Sequence, residues 1–132
     1  MISYTDSADG VGEAELLGFF VDWAKAPPPA LHLKALRNSD HVIIASNSGT
    51  GMVIGFITAI SDKTLTAYIP LLEVLPQYQG QGIGSELMTR MLAKLKGLYM
   101  VDLICDEELQ SYYERFGMKK AVGMMLRDVG GI

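Results

Sequence analysis

A single cysteine, Cys105, stands among the 132 residues, so no intramolecular disulfide can staple the fold, and a reducing, cytoplasmic setting is expected. The two histidines, His32 and His41, sit far from it in sequence and give no metal-ligand spacing, so no metal is expected. No run of 18 apolar residues occurs, and no basic segment leading into a long apolar one opens the chain. Neither a membrane span nor an export signal is therefore expected. Basic residues number 11 against 15 acidic ones, for a net charge of −4, and they form no cluster. The field that grips a phosphate backbone is missing, which argues against a nucleic-acid binder. Internal repeats, linkers and low-complexity stretches are lacking as well. A chain of this length can bury roughly two-thirds of its unfolded surface in one core, so residues 1–132 are expected to form one domain.

Glycine, by contrast, is concentrated in one informative place: Pro76-Gln77-Tyr78-Gln79-Gly80-Gln81-Gly82-Ile83-Gly84-Ser85-Glu86-Leu87. Three alternate glycines lie between a strand-like run and an amphipathic helical pattern. Glycine lets backbone approach a ligand closely, and a helix starting near Gly82 aims unpaired N–H groups and its positive dipole end at an anion. Two common phosphate loops fail against these residues. The P-loop needs Lys-Ser or Lys-Thr after its last glycine, where Ser85-Glu86 stands, and the dinucleotide fingerprint needs a glycine at Leu87.

What fits is Gln79-x-x-Gly82-x-Gly84 after Val74-Leu75-Pro76, joined by Tyr112-Tyr113-Glu114-Arg115-Phe116-Gly117-Met118 one helix and one strand later. These two segments, in this order, resemble the diphosphate-binding and closing motifs of the GNAT superfamily of CoA-dependent N-acetyltransferases. The likeness extends to an N-terminal third containing Trp23, the strand pattern Val53 to Phe56 and the strand pattern Thr66 to Ile69. It implies an α/β (α+β) fold: a mixed, mainly antiparallel twisted sheet of six to seven strands with about four helices on both faces.

It also implies acetyl-CoA as donor, with acetyl passing directly to an amine of a small molecule, peptide or protein. The diphosphate would rest on backbone N–H groups of Gln79, Gly80, Gln81, Gly82, Ile83 and Gly84, with the Ser85 hydroxyl as an extra donor. The pantetheine arm would pair with main-chain groups of Leu72 and Val74, and a backbone N–H near Val74 would stabilise the oxyanion. A monomer or a homodimer is compatible with the family.

Read for periodicity, Ile2 to Thr5 is a strand, and Glu13 to Lys25 a helix with Leu16, Leu17, Phe20 and Ala24 at helical spacing, broken by Pro27-Pro28-Pro29. Ala30 to Arg37 is a second helix. His41 to Ser46 and Met52 to Ile60 form a hairpin through Asn47-Ser48-Gly49-Thr50-Gly51, and Leu65 to Leu75 is a third long strand. Pro70 inside it cannot donate a ladder hydrogen bond, so a bulge or splayed edge is expected there. A half-buried helix follows Gly82 and ends at Gly97. Tyr99 to Cys105 then reads as a strand, Glu107 to Phe116 as a helix, and Lys120 to Leu126 as a last strand.

For the chemistry, the resemblance points to Tyr113 as the general acid that protonates the departing thiolate, with Tyr112 second and core packing the plain alternative. Glu73 is the candidate general base, although strand alternation turns it away from the face of Leu72 and Val74. Related small acetyltransferases carry an aspartate near this position, where this chain has Pro70-Leu71-Leu72-Glu73. Asp106 stands where many members have an asparagine, leaving CoA contact or helix capping open. The resemblance places an acceptor pocket at Phe19, Phe20, Trp23 and the Pro27 to Pro29 loop, with core packing the default for the two phenylalanines and Trp23, at the edge of the proline break, the best single candidate. Cys105, in an apolar strand with no nearby histidine, is a poor covalent nucleophile. A non-catalytic acyl-CoA-binding sensor on the same fold is the alternative, and a different acyl donor stays open.

Overall fold

The computed structural model describes residues 1–128 and Gly130. Among these, five strands form one sheet in chain order: β1 (Ile2–Thr5), β2 (His41–Asn47), β3 (Val53–Ser61), β4 (Thr66–Val74) and β5 (Met100–Asp102). The first four are antiparallel neighbours, and β5 joins β4 in parallel. The α/β class, with a mixed and mainly antiparallel sheet, is as expected, with five strands among the described residues where six to seven were anticipated.

Both faces of the sheet are apolar, and each has its helix. On one face α2 (Ile83–Lys94) sets Leu87, Met88 and Met91, all 0% exposed, against Ile43, Ile57 and Ile69. Truncating any of the three to alanine would cost about 2–5 kcal/mol. On the other face α1 (Pro29–Asn38) places Leu33 and Leu36 with Val42, Ile44 and Phe56, joined by Leu16 and Phe20 from the N-terminal segment. The proline run starts α1, because Pro29 at the first helical position needs no hydrogen bond there.

Two elements differ from the sequence reading. Only Glu13–Glu15 of the expected N-terminal helix forms, as a 3₁₀ turn. The chain then bends with positive φ at Gly18 (90°), Phe20 (63°) and Asp22 (68°). Leu16 and Phe20 are buried while Leu17 is 56% exposed, so the helical spacing was coincidental and tertiary packing chose the backbone. The expected last strand, Lys120 to Leu126, pairs with nothing among the described residues and lies in the open. The remaining elements fall close to their predicted spans, with β5 shorter and the last helix split into a 3₁₀ turn (Glu107–Leu109) and α3 (Gln110–Glu114).

Candidate active site

The site begins with a bulge. Thr58 pairs with Leu71 and Ile60 with Tyr68, so the shift in register leaves Ala59 facing both Ile69 and Pro70. Proline, lacking an N–H, sits where the ladder is already broken. The β4–β5 pairing ends at Tyr68 and Asp102, so beyond it Ile69 to Val74 have β3 on one side and, among the described residues, no strand on the other. Leu75 N–H bonds to Ile54 O of β3 at 2.9 Å. Strand alternation then directs the main-chain groups of Leu72 and Val74 to the open edge. The Val74 carbonyl there is capped by Gln79 Nε2 at 3.0 Å.

This open edge runs into the glycine loop. Pro76–Tyr78 form a 3₁₀ turn, anchored where the Asn47 amide donates to the Tyr78 hydroxyl at 2.9 Å. Gly80 and Gly82 take φ of +78° and +83°, with nothing within 4 Å of where a Cβ would stand. Their backbone suits glycine, and the space above them is clear. The Glu86 N–H bonds to Gly82 O at 3.0 Å, whereas the N–H groups from Gly80 to Ser85 find no acceptor among the described residues. Gln79 differs from the expected donor role, since its N–H is engaged by Pro76 O at 3.3 Å. Six free N–H groups at a helix start, with glycine giving access, make an anion cradle.

How α2 comes so near the edge is explained by Gly55, the partner of Val74 on β3. A Cβ there would lie 3.1 Å from Glu73 O and 3.2 Å from Leu87 Cδ1.

Across the opening, α3 brings up two tyrosines, their rings edge to face at 5.0 Å. The Tyr112 hydroxyl lies 3.3 Å from Ser85 Oγ, at the start of α2, and the Arg115 guanidinium covers its ring at 4.6 Å. Tyr113 packs its ring against the core cluster below. Burial, aided by Tyr112 and Cys105 nearby, pushes its hydroxyl up to about 12, so it stays protonated at neutral pH. The Cys105 thiol is likewise raised, by burial and then by the carboxylates of Asp106 and Glu108, which leaves little thiolate for a covalent step. The Asp106 side chain makes no capping hydrogen bond to the turn that follows it.

Glu73 points to the opposite side from Leu72 and Val74, which pack on the α2 face. Its Oε1 accepts the Phe20 N–H at 2.9 Å, while Oε2 is buried with no partner among the described residues. Burial raises its pKa above 4.5, opposed by the Phe20 hydrogen bond. Glu73 helps line a cleft of about 410 Å³ with Gly18, Phe19, Asp22, Leu72 and Val74. One end of this cleft is the open β4 edge and the other is the bent N-terminal segment. Trp23 is not among its lining residues; it stands 48% exposed with its ring edge to face with Phe20 at 4.8 Å.

Sequence reasoning missed Gly18 and Asp22 as lining residues, because it placed them within a helix, whereas Phe19 was among its acceptor-pocket candidates and does line the cleft. The Phe20 N–H was equally invisible, since only the bend frees it. No group of three or more metal-ligating side chains occurs among the described residues. No helix there is long and apolar enough to cross a membrane.

The family model described as "Acetyltransferase (GNAT) family" matches residues 8–118. A crystal structure from Deinococcus radiodurans R1, of a protein assigned to the acetyltransferases, is 43% identical, with a TM-score of 0.94 over 98% of this chain and 90% of that one. The GNAT family protein SP0256 from Streptococcus pneumoniae TIGR4 is 28% identical, with a TM-score of 0.78 over 97% and 98% of the two chains. Among curated relatives, the uncharacterized N-acetyltransferase ycf52 of Porphyra purpurea is 29% identical over 112 residues, 82% of this chain. The chain spans 64% of that relative's length.

Proposed function

Because the chain belongs to the GNAT acetyltransferase family, we propose that it transfers an acetyl group from acetyl-CoA directly to an amine, in the cleft between β4 and the N-terminal segment. The observation that carries this reading is the continuity of the open β4 edge with the row of free N–H groups from Gly80 to Ser85. An extended amide-bearing arm ending in a diphosphate needs that pair of features in that order. When bound, acetyl-CoA supplies an activated thioester.

The chain's own groups then divide the work. The N–H groups from Gly80 to Ser85 hold the diphosphate, and the edge groups of Leu72 and Val74 orient the arm. The Val74 N–H faces the position where negative charge develops on the thioester oxygen. Glu73, desolvated and with a free Oε2, receives the proton that an ammonium acceptor must lose before it can attack. Tyr113, kept protonated by burial, delivers a proton to the departing sulfur. The acceptor enters from the side of Gly18, Phe19 and Asp22. The free thiol of Cys105 suits a reducing, cytoplasmic setting.

The test is thermal unfolding with and without acetyl-CoA at ~100 times its dissociation constant, where binding to the native state adds ~2.7 kcal/mol. A rise of several degrees followed by amine-dependent thiol release is the expected result. No shift with any CoA ester would overturn the cofactor assignment. A shift without thiol release across a broad amine panel would favour a sensor instead.

A further inference from the structure

The cleft beside the open β4 edge carries charge of one sign. Asp22 and Glu73 both line it, and no lysine, arginine or histidine does. Glu73 is the inner of the two, with Oε1 on the Phe20 N–H at 2.9 Å and Oε2 buried. Asp22 stands exposed at the rim, and its carboxylate meets no hydrogen-bond donor or cation among the described residues. Two carboxylates in one cleft with no cation beside them favour a positively charged occupant.

The backbone at the rim is unusual as well. Asp22 takes a φ of +68°, two residues after Phe20 at +63°. Aspartate tolerates this left-handed region better than most residues, and such conformations gather at ligand sites. Because Phe20 holds Glu73, and Asp22 follows Phe20 by two residues, the Asp22 Cα lies within ~7 Å of the Phe20 Cα. A short methylene chain spans the gap between carboxylates so placed. The remaining wall suits such a chain: Phe19 and Val21 supply apolar surface, and Gln79, the other polar side chain, is already engaged by Val74 O at 3.0 Å. A cleft of about 410 Å³ is the size of a small-molecule site.

We propose that the acceptor is a small aliphatic diamine, whose reacting nitrogen lies at Glu73 and whose second ammonium pairs with Asp22. This rests on the acetyl-transfer reading of the same cleft. The reacting ammonium first gives a proton to Glu73. Its lone pair then forms the C–N bond as the thioester C–S bond breaks, and the departing sulfur takes a proton from Tyr113. The second proton of that nitrogen replaces the one Tyr113 gave, and the proton on Glu73 leaves to solvent. The product keeps one positive charge in place of two, which weakens its hold on the cleft and favours a single acetylation.

Calorimetry in the presence of saturating CoA, with diaminobutane against butylamine, tests the site apart from the chemistry. Diaminobutane should bind about 2–5-fold more tightly at low salt, and the preference should fade as salt rises. Asp22→Asn keeps the side-chain shape and tolerates the same φ, and should shrink that preference. No binding of either amine, equal affinities, or a preference that Asp22→Asn leaves intact would overturn the proposal. Thiol release from acetyl-CoA separates it from the reading on which it rests. Transfer to both amines with equal kcat/KM would overturn the diamine and leave acetyl transfer standing. A binding preference that Asp22→Asn removes, without thiol release from any amine, would support the diamine site and overturn acetyl transfer.

Discussion

The backbone N–H of Phe20 donates to Oε1 of Glu73 at 2.9 Å, joining residues 53 apart in sequence. That bond fixes one carboxylate oxygen and leaves Oε2 buried and free. It also explains the positive φ of Phe20, since the bend turns the N–H out of any local ladder and toward β4. Glu73→Gln can keep this bond through its amide oxygen while losing the ability to take a proton. We expect turnover to fall by ~10²–10⁴-fold with the unfolding midpoint nearly unchanged. Burial has moved Glu73 above 4.5, so the acid limb of the native pH–rate profile should lie above the ordinary glutamate range and rise with pH as the base deprotonates. A limb that survives in Glu73→Gln would assign the base elsewhere.

The two tyrosines of α3 separate by location. Tyr113→Phe should lower turnover by ~10²-fold or more with little change in acetyl-CoA affinity, because the hydroxyl acts on the leaving thiolate. Tyr112→Phe removes the hydroxyl beside Ser85 at the start of α2, and should weaken acetyl-CoA binding more than it slows the chemistry. Steady-state kinetics with calorimetric affinities on both variants decide it, and the reverse pattern would exchange their roles.

Gly82→Asp adds a side chain and a negative charge at a φ of +83°, in open space above the row of free N–H groups. The chain should still fold, with a loss of about 1 kcal/mol from the strained backbone. The stabilisation by acetyl-CoA should disappear. A folded variant that keeps its ligand-induced midpoint shift would remove the diphosphate from this loop.

His32 is 2% exposed, ringed by Phe19, Phe20 and Phe56, and burial depresses its pKa from 6.5 to about 4. The folded state therefore binds this proton less readily than the unfolded one, and stability falls as pH drops from 6.5 towards 4. The contribution is on the order of 1–2 kcal/mol once solvent screening is allowed for. Denaturant unfolding should show His32→Leu losing less stability between neutral and acid pH than the parent, and equal losses would refute the assignment.

By itself the sequence determined the parts whose physics is local. Gly80 and Gly82 mark positive φ, the apolar period of Ile83, Leu87, Met88 and Met91 marks the buried face of α2, and Pro70 marks the bulge. These need only a few neighbouring residues to be recognised, which is why the loop, the hairpin through Asn47 to Gly51 and the opening of β4 were legible. Only the tertiary structure decided where long-range contacts override local preference. Residues 16–25 carry a helical pattern, yet burying Leu16 and Phe20 against α1 and giving the Phe20 N–H to Glu73 requires a bend. Residues 120–126 carry a strand pattern, but a strand forms only beside a partner edge, and none is paired with them among the described residues. The environment of Glu73, and the placing of Tyr112 rather than Tyr113 against Ser85, likewise follow from elements that meet only once the sheet has formed.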